Sequence, residues 1–186
     1  SSANPAQDVY ARRARYFDSG NAFNLEYAEV PATAFAAERD RALDPSTGTA
    51  WIACDQSTAL GLSFPATSPL VLAGYARVRA GETLELNPRA TTVLGFVIEG
   101  SGCVKQGRGA INWNRGDAFS LPGGEPLQLI SNDAADSVVW IVTNEPQLTF
   151  ERLRPPAGSE ALVEATHFPS ATIRAELDSA RARLLG

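Results

Sequence analysis

The feature that most restricts the fold of this chain is a series of short β-branched and aromatic runs between residues 70 and 153, separated by glycine about every ten residues. We predict nine strands, over residues 70–79, 83–87, 92–99, 102–106, 109–113, 118–121, 127–131, 137–143 and 148–152. Strands that are short and numerous, with no helix between them, are typical of a sandwich, a jelly roll or a small barrel. The sequence therefore predicts an all-β core.

The sequence on either side of this region has a different texture. Residues 1–69 are expected to form an irregular N-terminal arm with one short helix over residues 31–43, which Pro31 opens and Asp44-Pro45 closes. Residues 70–153 form the predicted barrel, and residues 154–186 form a linker and a C-terminal α-helix that Ser170 caps. One face of that helix is an apolar stripe that must be covered, made of Ile173, Leu177, Ala180 and Leu184.

Charge and composition exclude several classes of partner. The net charge is −5 and no dense basic cluster is present, which argues against a nucleic-acid surface. The longest apolar runs are far shorter than the ~20 residues of a membrane-spanning helix, so no membrane association is expected. Cys54 and Cys103 are far apart and are interpreted as two small buried hydrophobic side chains in a reducing cytoplasm. The chain has no methionine, not even an initiator, so we expect it to be trimmed or processed at its start. No secretory signal is visible in the sequence that remains.

His167 is the only histidine of the chain. A metal site of three histidines, or of two histidines and a carboxylate, cannot form within one such chain. A serine triad or a cysteine dyad would have to use His167 as its base. We expect His167 to pack or to cap the terminal helix, with catalysis as the minor alternative.

Two glycine frames in the β region resemble the motifs of the cupin family. The first family motif is G-x5-H-x-H-x3,4-E-x6-G, and this chain has Gly81, Asn87, Arg89, Val93 and Gly100 at the matching positions. The frame of the motif is kept, and all three of its metal-ligand positions are substituted.

The second family motif, G-x5-P-x-G-x2-H-x3-N, shows the same loss. Here the chain has Gly116, Pro122, Gly124, Leu127 and Ser131, so leucine stands at the histidine position. A narrower likeness, over residues 73–82 (AGYARVRAGE), 96–102 (FVIEGSG) and 113–117 (WNRGD), is to the first cupin of the two-cupin, gentisate-type ring-cleaving dioxygenases. The resemblance implies a cupin jelly-roll β-barrel with an N-terminal arm and a C-terminal helix.

The resemblance also implies a catalytic iron on three histidines, and none of the three can be carried over to this chain. Fe(II), Mn(II) and Ni(II) need imidazole or carboxylate lone pairs, whereas Arg89 is always protonated and Val93 and Leu127 have none to donate. We therefore predict a barrel with no metal and no cofactor. Asp117 is expected to bond turn amides instead.

Polar side chains near the lost ligand positions are candidates for binding a small anionic or aromatic-acid ligand. They are Tyr75, Arg77, Asn87, Arg89 and Gln128. Arginine suits this role because its planar fork clamps carboxylates by two hydrogen bonds. For Arg89 an ion pair with a barrel carboxylate or exposure to solvent is an equal alternative, and for Asn87 the alternative is satisfying backbone groups at the barrel mouth.

Three hypotheses about function follow. The first is a metal-free cupin resembling the non-catalytic N-terminal half of a gentisate-type dioxygenase, with a structural, oligomerising or small-anion-binding role. The second is a metal-independent isomerase, dehydratase or cyclase acting on a small polar substrate. The third is a fragment of an iron-dependent dioxygenase, an oxidoreductase whose metal lies in a second cupin. We also expect a homodimer, because the arm carries more apolar side chains than a free tail should expose, namely Val9, Tyr10, Tyr16, Phe17, Phe23 and Leu25.

Overall fold

A computed structural model describes residue 9 and residues 11–21 and 29–185. Its core consists of two antiparallel sheets, one with strand order β1-β2-β9-β4-β7-β10 (sheet A) and one with order β3-β8-β5-β6 (sheet B). The strands are β1 (Ala50–Ala53), β2 (Leu72–Val78), β3 (Thr83–Leu86), β4 (Thr92–Glu99), β5 (Ser101–Gln106), β6 (Gly109–Asn114), β7 (Ala118–Pro122), β8 (Leu127–Ser131), β9 (Ser137–Thr143) and β10 (Thr166–Phe168). Beyond residue 30 the helices are α1 (Ala36–Leu43), α2 (Ser57–Leu60), α3 (Glu145–Glu151) and α4 (Ser170–Leu185), with a short 3₁₀ turn at Gly158–Glu160.

The hydrophobic core fills the space between the two sheets. Alternate residues of each strand point inward, so Val93 and Val97 of β4 meet Val139 and Ile141 of β9, its neighbour in sheet A. Sheet B covers this layer with a second set of buried side chains, namely Val104, Trp113, Leu127 and Leu129. The prediction of an all-β jelly-roll barrel with a C-terminal helix is confirmed.

One predicted strand is wrong. The sequence predicts residues 148–152 to be extended, but they lie largely in helix α3, which runs over Glu145–Glu151. Pro146 in the first turn presets a helical backbone and needs no amide partner there, and Arg152 ends the helix in the left-handed conformation at φ 58°. Two short strands, β1 and β10, are not predicted, because each is four residues or shorter and is extended only through pairing with β2 or β7.

The predicted helix in the arm is shorter than expected. It begins at Ala36, after Phe35 in the left-handed conformation at φ 47°, and Pro31 precedes it instead of opening it. Ala42 of this helix is fully buried against Ile52 and Val138 on the outer face of sheet A. The arm thus covers one part of that face.

Helix α4 leaves much of its apolar stripe open. The Pro169 carbonyl accepts the first helical hydrogen bond from the Ile173 amide (3.0 Å), so Pro169 is the N-cap and Ser170, the expected cap, is the first helical residue. Leu177 is 55% exposed and Leu184 is 85% exposed. The barrel of the same chain therefore covers the stripe only in part, since Ile173 and Ala180 are half-buried.

The apolar side chains of the arm are only partly described. Val9, Tyr16 and Phe17 are exposed, and the other three named above, Tyr10, Phe23 and Leu25, lie outside the described residues. A bilayer-spanning helix, long and apolar enough to cross, is not found among the residues described.

Candidate functional site

A cavity of about 170 Å³ opens at one end of the space between the two sheets. Its wall combines apolar side chains from four strands with polar groups at the strand ends, and the lining residues are Trp51, Leu72, Leu86, Asn87, Pro88, Ile141, Thr143 and Glu145. The Trp51 ring reaches this end of the barrel because Gly74 of β2 has no side chain, and a Cβ there would lie 2.7 Å from Cη2 of the ring. The glycine thus makes room for the indole wall.

Thr143 is the unusual group on this wall. Thr143 is 5% exposed, and it stands directly opposite Leu72 on β2 and Val93 on β4. Its side-chain hydroxyl has no hydrogen-bond partner among the described residues. A buried hydroxyl without a partner costs about 1–3 kcal/mol. Oγ1 itself has almost no accessible surface, so the hydroxyl lies within the cavity wall, and a rotation of the side chain would be needed to turn it towards a bound molecule.

Two further polar side chains stand at the mouth of the cavity. Asn87 directly follows β3, and Glu145 is the first residue of α3. Within the described part of the chain, neither side chain has a hydrogen-bond or ion-pair partner. The mouth of the cavity thus carries an amide and a carboxylate, and the otherwise apolar wall contains the buried Thr143 hydroxyl.

A second cavity of about 300 Å³ adjoins the first and shares Trp51, Leu72 and Glu145 with it. Its other lining residues come from the arm, β1 and α3, and they are Ala53, Phe64, Pro65 and Thr149. Residues of the irregular arm therefore help to shape the approach to the site.

The positions that hold metal in the family do not fit a metal in this chain. Val93 and Leu127 are fully buried in the hydrophobic core, and neither has a lone pair to donate. The guanidinium of Arg89 donates from Nε and Nη2 to the Leu153 carbonyl, with an Nε to oxygen distance of 2.8 Å. Only Asn87 retains an oxygen, and no group of three His, Cys, Asp or Glu side chains among the described residues is placed to hold an ion.

The glycines of the two motif frames have a structural role that needs no metal. Gly81, Gly100, Gly116 and Gly124 have φ angles of 73°, 81°, 87° and 82°. Residues with a Cβ rarely adopt this left-handed region, and at Gly100 a Cβ would lie 2.5 Å from the Asp136 carbonyl oxygen. The turns of the barrel therefore require these glycines whether or not the site binds metal.

The five predicted ligand-binding residues are all described, and Asn87 alone lines the 170 Å³ cavity. Arg77 is buried on the outer face of sheet A, where it donates to the carbonyls of Ala42 (2.7 Å) and Thr47 (2.8 Å) and pairs with Asp136. The Arg77 guanidinium therefore binds backbone carbonyls of the arm to the barrel and is not directed to a ligand.

The remaining candidates also lie outside the cavity. Tyr75 packs edge-on against Trp140 on the outer face of sheet A, with ring centroids 4.6 Å apart, and burial raises the pKa of its phenol. Gln128 donates to the Glu85 carboxylate (2.6 Å) across β8 and β3. Neither residue faces the space between the sheets.

Two residues that line the cavity were not predicted from the sequence. Thr143 could have been predicted, because side chains of a strand alternate between its two faces and Thr143 is therefore on the same inward face as Val139 and Ile141. Glu145 could not have been predicted in this way, because it begins a helix that was not predicted from the sequence.

Asp117 and His167 form a separate polar cluster at the edge of sheet A. The Asp117 carboxylate accepts hydrogen bonds from the amides of Ser170 (2.8 Å) and Asn114 (2.9 Å) and from Nε2 of His167 (3.0 Å). Burial alone would raise the pKa of Asp117, but these hydrogen bonds outweigh it and hold the pKa below its ordinary value. Asp117 thus bonds turn amides as predicted, and it also anchors β10 and the start of α4.

Comparison with known proteins was informative for structure only. No protein-family model and no curated protein matches this sequence. A mutant of salicylate 1,2-dioxygenase from Pseudoaminobacter salicylatoxidans aligns with a TM-score of 0.50 at 20% identity, over 61% of this chain and 35% of that chain. A second mutant of that enzyme, in complex with gentisate, aligns with a TM-score of 0.49 at 18% identity, over 62% of this chain and 33% of that one. The protein TT1209 from Thermus thermophilus aligns with a TM-score of 0.43 at 18% identity, over 55% of this chain and 87% of that one.

The aligned region spans about a third of the dioxygenase chain, at 35% of its length in the first structure. At 20% identity the likeness concerns the fold, which is that of a cupin jelly roll.

Proposed function

We propose that this chain, which has the cupin jelly-roll fold, is a metal-free module that binds a small organic molecule in the 170 Å³ cavity. The observation that carries the proposal is the buried hydroxyl of Thr143, a residue of the cavity wall, which has no partner within the described residues. A mostly apolar cavity with a few polar groups is the usual form of a small-molecule site. The module would bind through these groups and not through a metal.

The metal-free part of the proposal rests on the donor chemistry at the four motif positions. Elemental analysis of the desalted protein should find iron, manganese, nickel and zinc each far below one equivalent. About one retained equivalent of metal in the unmodified protein would contradict the proposal.

The binding part can be tested with benzyl alcohol, a neutral molecule of one ring. Saturable shifts of the Trp51 indole signal in NMR titrations are expected, since Trp51 forms part of the wall. Leu72→Trp should abolish these shifts by filling the cavity, whereas Leu94→Trp, on the exposed outer face, should leave them unchanged. Circular dichroism checks that both variants fold, and Thr143→Val, which keeps the shape of the side chain, provides a milder variant.

The ionisable side chains that line the cavity favour a binding function over a catalytic one. Glu145 is the one titratable side chain among the described residues that line the cavity. A metal-independent isomerase or dehydratase needs an acid and a base positioned together, and a single carboxylate supplies one of the two. We therefore place the binding role ahead of the enzymatic one.

A second role, self-association, is favoured by the outer face of sheet A. Phe96, Ala118 and Phe168 stand directly opposite one another on β4, β7 and β10, and Leu94 lies two residues from Phe96 on the same face. Leu94, Phe96 and Phe168 are 49%, 45% and 47% exposed, which is a large apolar area for an isolated surface. We propose that a second copy of the chain covers this face, as in a homodimer.

Light scattering tests the homodimer. The unmodified protein should have twice the mass of the chain at micromolar concentration, and Phe96→Asp or Leu94→Glu should reduce it to the mass of the monomer. Phe150→Asp is the matched control, because Phe150 is an exposed aromatic residue that stands on α3 and not on these strands. A monomeric mass for the unmodified protein would overturn this role.

A further inference from the structure

We infer that the cavity selects a primary amine on an apolar body of about one ring, and that it disfavours a carboxylate ligand. The inference rests on the proposed binding function and names the chemical class of its ligand. It departs from the anionic ligand that the sequence suggested, and the reason is the charge of the wall.

The two adjoining cavities carry negative charge and no positive charge from the residues described. Glu145 lines both of them, and none of their described lining residues is Arg, Lys or His. A carboxylate ligand would meet Glu145 without a compensating cation in a partly desolvated site. An ammonium group would instead form an ion pair with it.

Arg77 and Arg89, the two arginines that the sequence suggested for binding an anion, are not available to reverse this balance. Arg77 is buried on the opposite face of sheet A and donates to Ala42, Thr47 and Asp136. Arg89 stands two residues from Asn87, but its guanidinium donates from two nitrogens to the Leu153 carbonyl. Both guanidinium groups are engaged within the fold.

The polar atoms of the wall suit an ammonium group in number and kind. A primary ammonium has three N–H donors and no acceptor. The Glu145 carboxylate, the Thr143 hydroxyl and the Asn87 side-chain carbonyl are three groups that accept hydrogen bonds, and none of them has another partner among the described residues. Binding would therefore neutralise Glu145, and a rotation of the Thr143 side chain towards the ammonium would also give its unpaired hydroxyl a partner.

The size of the cavity sets the apolar part of the ligand. An apolar cavity of about 150 Å³ is large enough for benzene. The cavity here measures about 170 Å³ and has Trp51, Leu72, Leu86 and Ile141 on its wall. One ring, or an alkyl chain of similar volume, fits the apolar part.

Three probes of similar size test the inference, namely benzylamine, benzyl alcohol and benzoate. We expect benzylamine to bind about tenfold more tightly than benzyl alcohol, and benzoate more weakly than either, in NMR or calorimetric titrations at neutral pH and low salt. Glu145→Gln should remove the advantage of benzylamine and leave the affinity for benzyl alcohol unchanged. Glu151→Gln, at the exposed far end of the same helix, is the matched control and should change none of the three affinities.

The possible failures are distinguishable. Tighter binding of benzoate than of benzylamine, or an unchanged benzylamine affinity in Glu145→Gln, would overturn the inference while the binding function stands. Absence of binding by all three probes would overturn the proposed function itself. Thr143→Val should weaken benzylamine binding, and an unchanged affinity in that variant would remove the hydroxyl from the site.

Discussion

Oδ2 of Asp117 lies 3.0 Å from Nε2 of His167, although the two residues are 50 positions apart in the chain. The contact joins β10 to the turn before β7, and the other oxygen of the same carboxylate accepts the first amide of α4, that of Ser170. One buried carboxylate therefore attaches the C-terminal segment to the barrel. His167 serves this attachment as a hydrogen-bond donor.

Replacing Asp117 should destabilise the protein. Asp117→Ala removes the acceptor of the Asn114 and Ser170 amides and the partner of His167, so we expect the free energy of unfolding to fall by about 2–3 kcal/mol. Chemical denaturation measures this loss. Asp178→Ala, on the exposed face of α4, should change stability by less than about 0.5 kcal/mol. Equal losses in the two variants would show that the carboxylate does not anchor the helix.

The same carboxylate predicts a pH dependence in acid. Its pKa in the folded protein is below the ordinary value of 3.8, so folding favours the ionised form. The stabilisation is present above pH 3.8 and is lost as the pH falls through the lower folded pKa. The difference in unfolding free energy between the unmodified protein and Asp117→Ala should therefore shrink between about pH 5 and about pH 2. A constant difference over that range would contradict the assignment.

Removing the Thr143 hydroxyl should stabilise the unliganded protein. Thr143→Val keeps the shape of the side chain and eliminates an unpaired buried hydroxyl, which predicts a gain of about 1 kcal/mol in the free energy of unfolding. Thr91→Val is the contrasting variant, because the Thr91 hydroxyl accepts a hydrogen bond from the Asn144 amide group (2.8 Å) and its loss should be destabilising. A loss of stability in Thr143→Val would mean that its hydroxyl is satisfied in solution.

Arg77 is expected to matter for stability and not for ligand binding. Arg77→Met leaves the Ala42 and Thr47 carbonyls and the Asp136 carboxylate without their donor, at a cost of about 3 kcal/mol. Arg79→Met changes an exposed arginine two residues further along the chain and should be nearly neutral. If Arg77→Met kept full stability but lost affinity for benzoate, the arginine would instead be a ligand-binding residue.

The two cysteines should differ in reactivity. Burial, with a smaller contribution from the negative charge of Glu38, raises the pKa of the Cys54 thiol to about 11, so this thiol is protonated at neutral pH. Cys103, expected to be buried, is half-buried and borders an open groove with Ser101 and Asn112. A thiol reagent at mildly basic pH should modify Cys103 in the folded protein and Cys54 only after unfolding, as mass spectrometry would show. Modification of Cys54 first would contradict this order.

The local sequence pattern was sufficient to predict most strands of the barrel. Short runs rich in β-branched and aromatic residues, such as residues 92–99 and 137–143, predicted β4 and β9 at their observed bounds, because such side chains favour extended strands. The motif glycines were equally readable, since turns with positive φ exclude most other residues. Strands β1 and β10 were not readable, because a run of three or four residues becomes extended only when a neighbouring strand offers it hydrogen bonds.

The sequence by itself determined the class of the fold and the absence of imidazole and carboxylate donors at the ligand positions of the two motif frames, because hydrophobic patterning and side-chain chemistry are properties of single residues and their immediate neighbours. Only the tertiary structure decided which partners the charged side chains bind. Arg77 and Arg89 looked available for an anion, yet each is bound to carbonyl groups 35 and 64 positions away in the chain. It also brought Thr143 and Glu145 beside Asn87. Contacts at such separations depend on how the sheets and the arm pack, which no local pattern encodes.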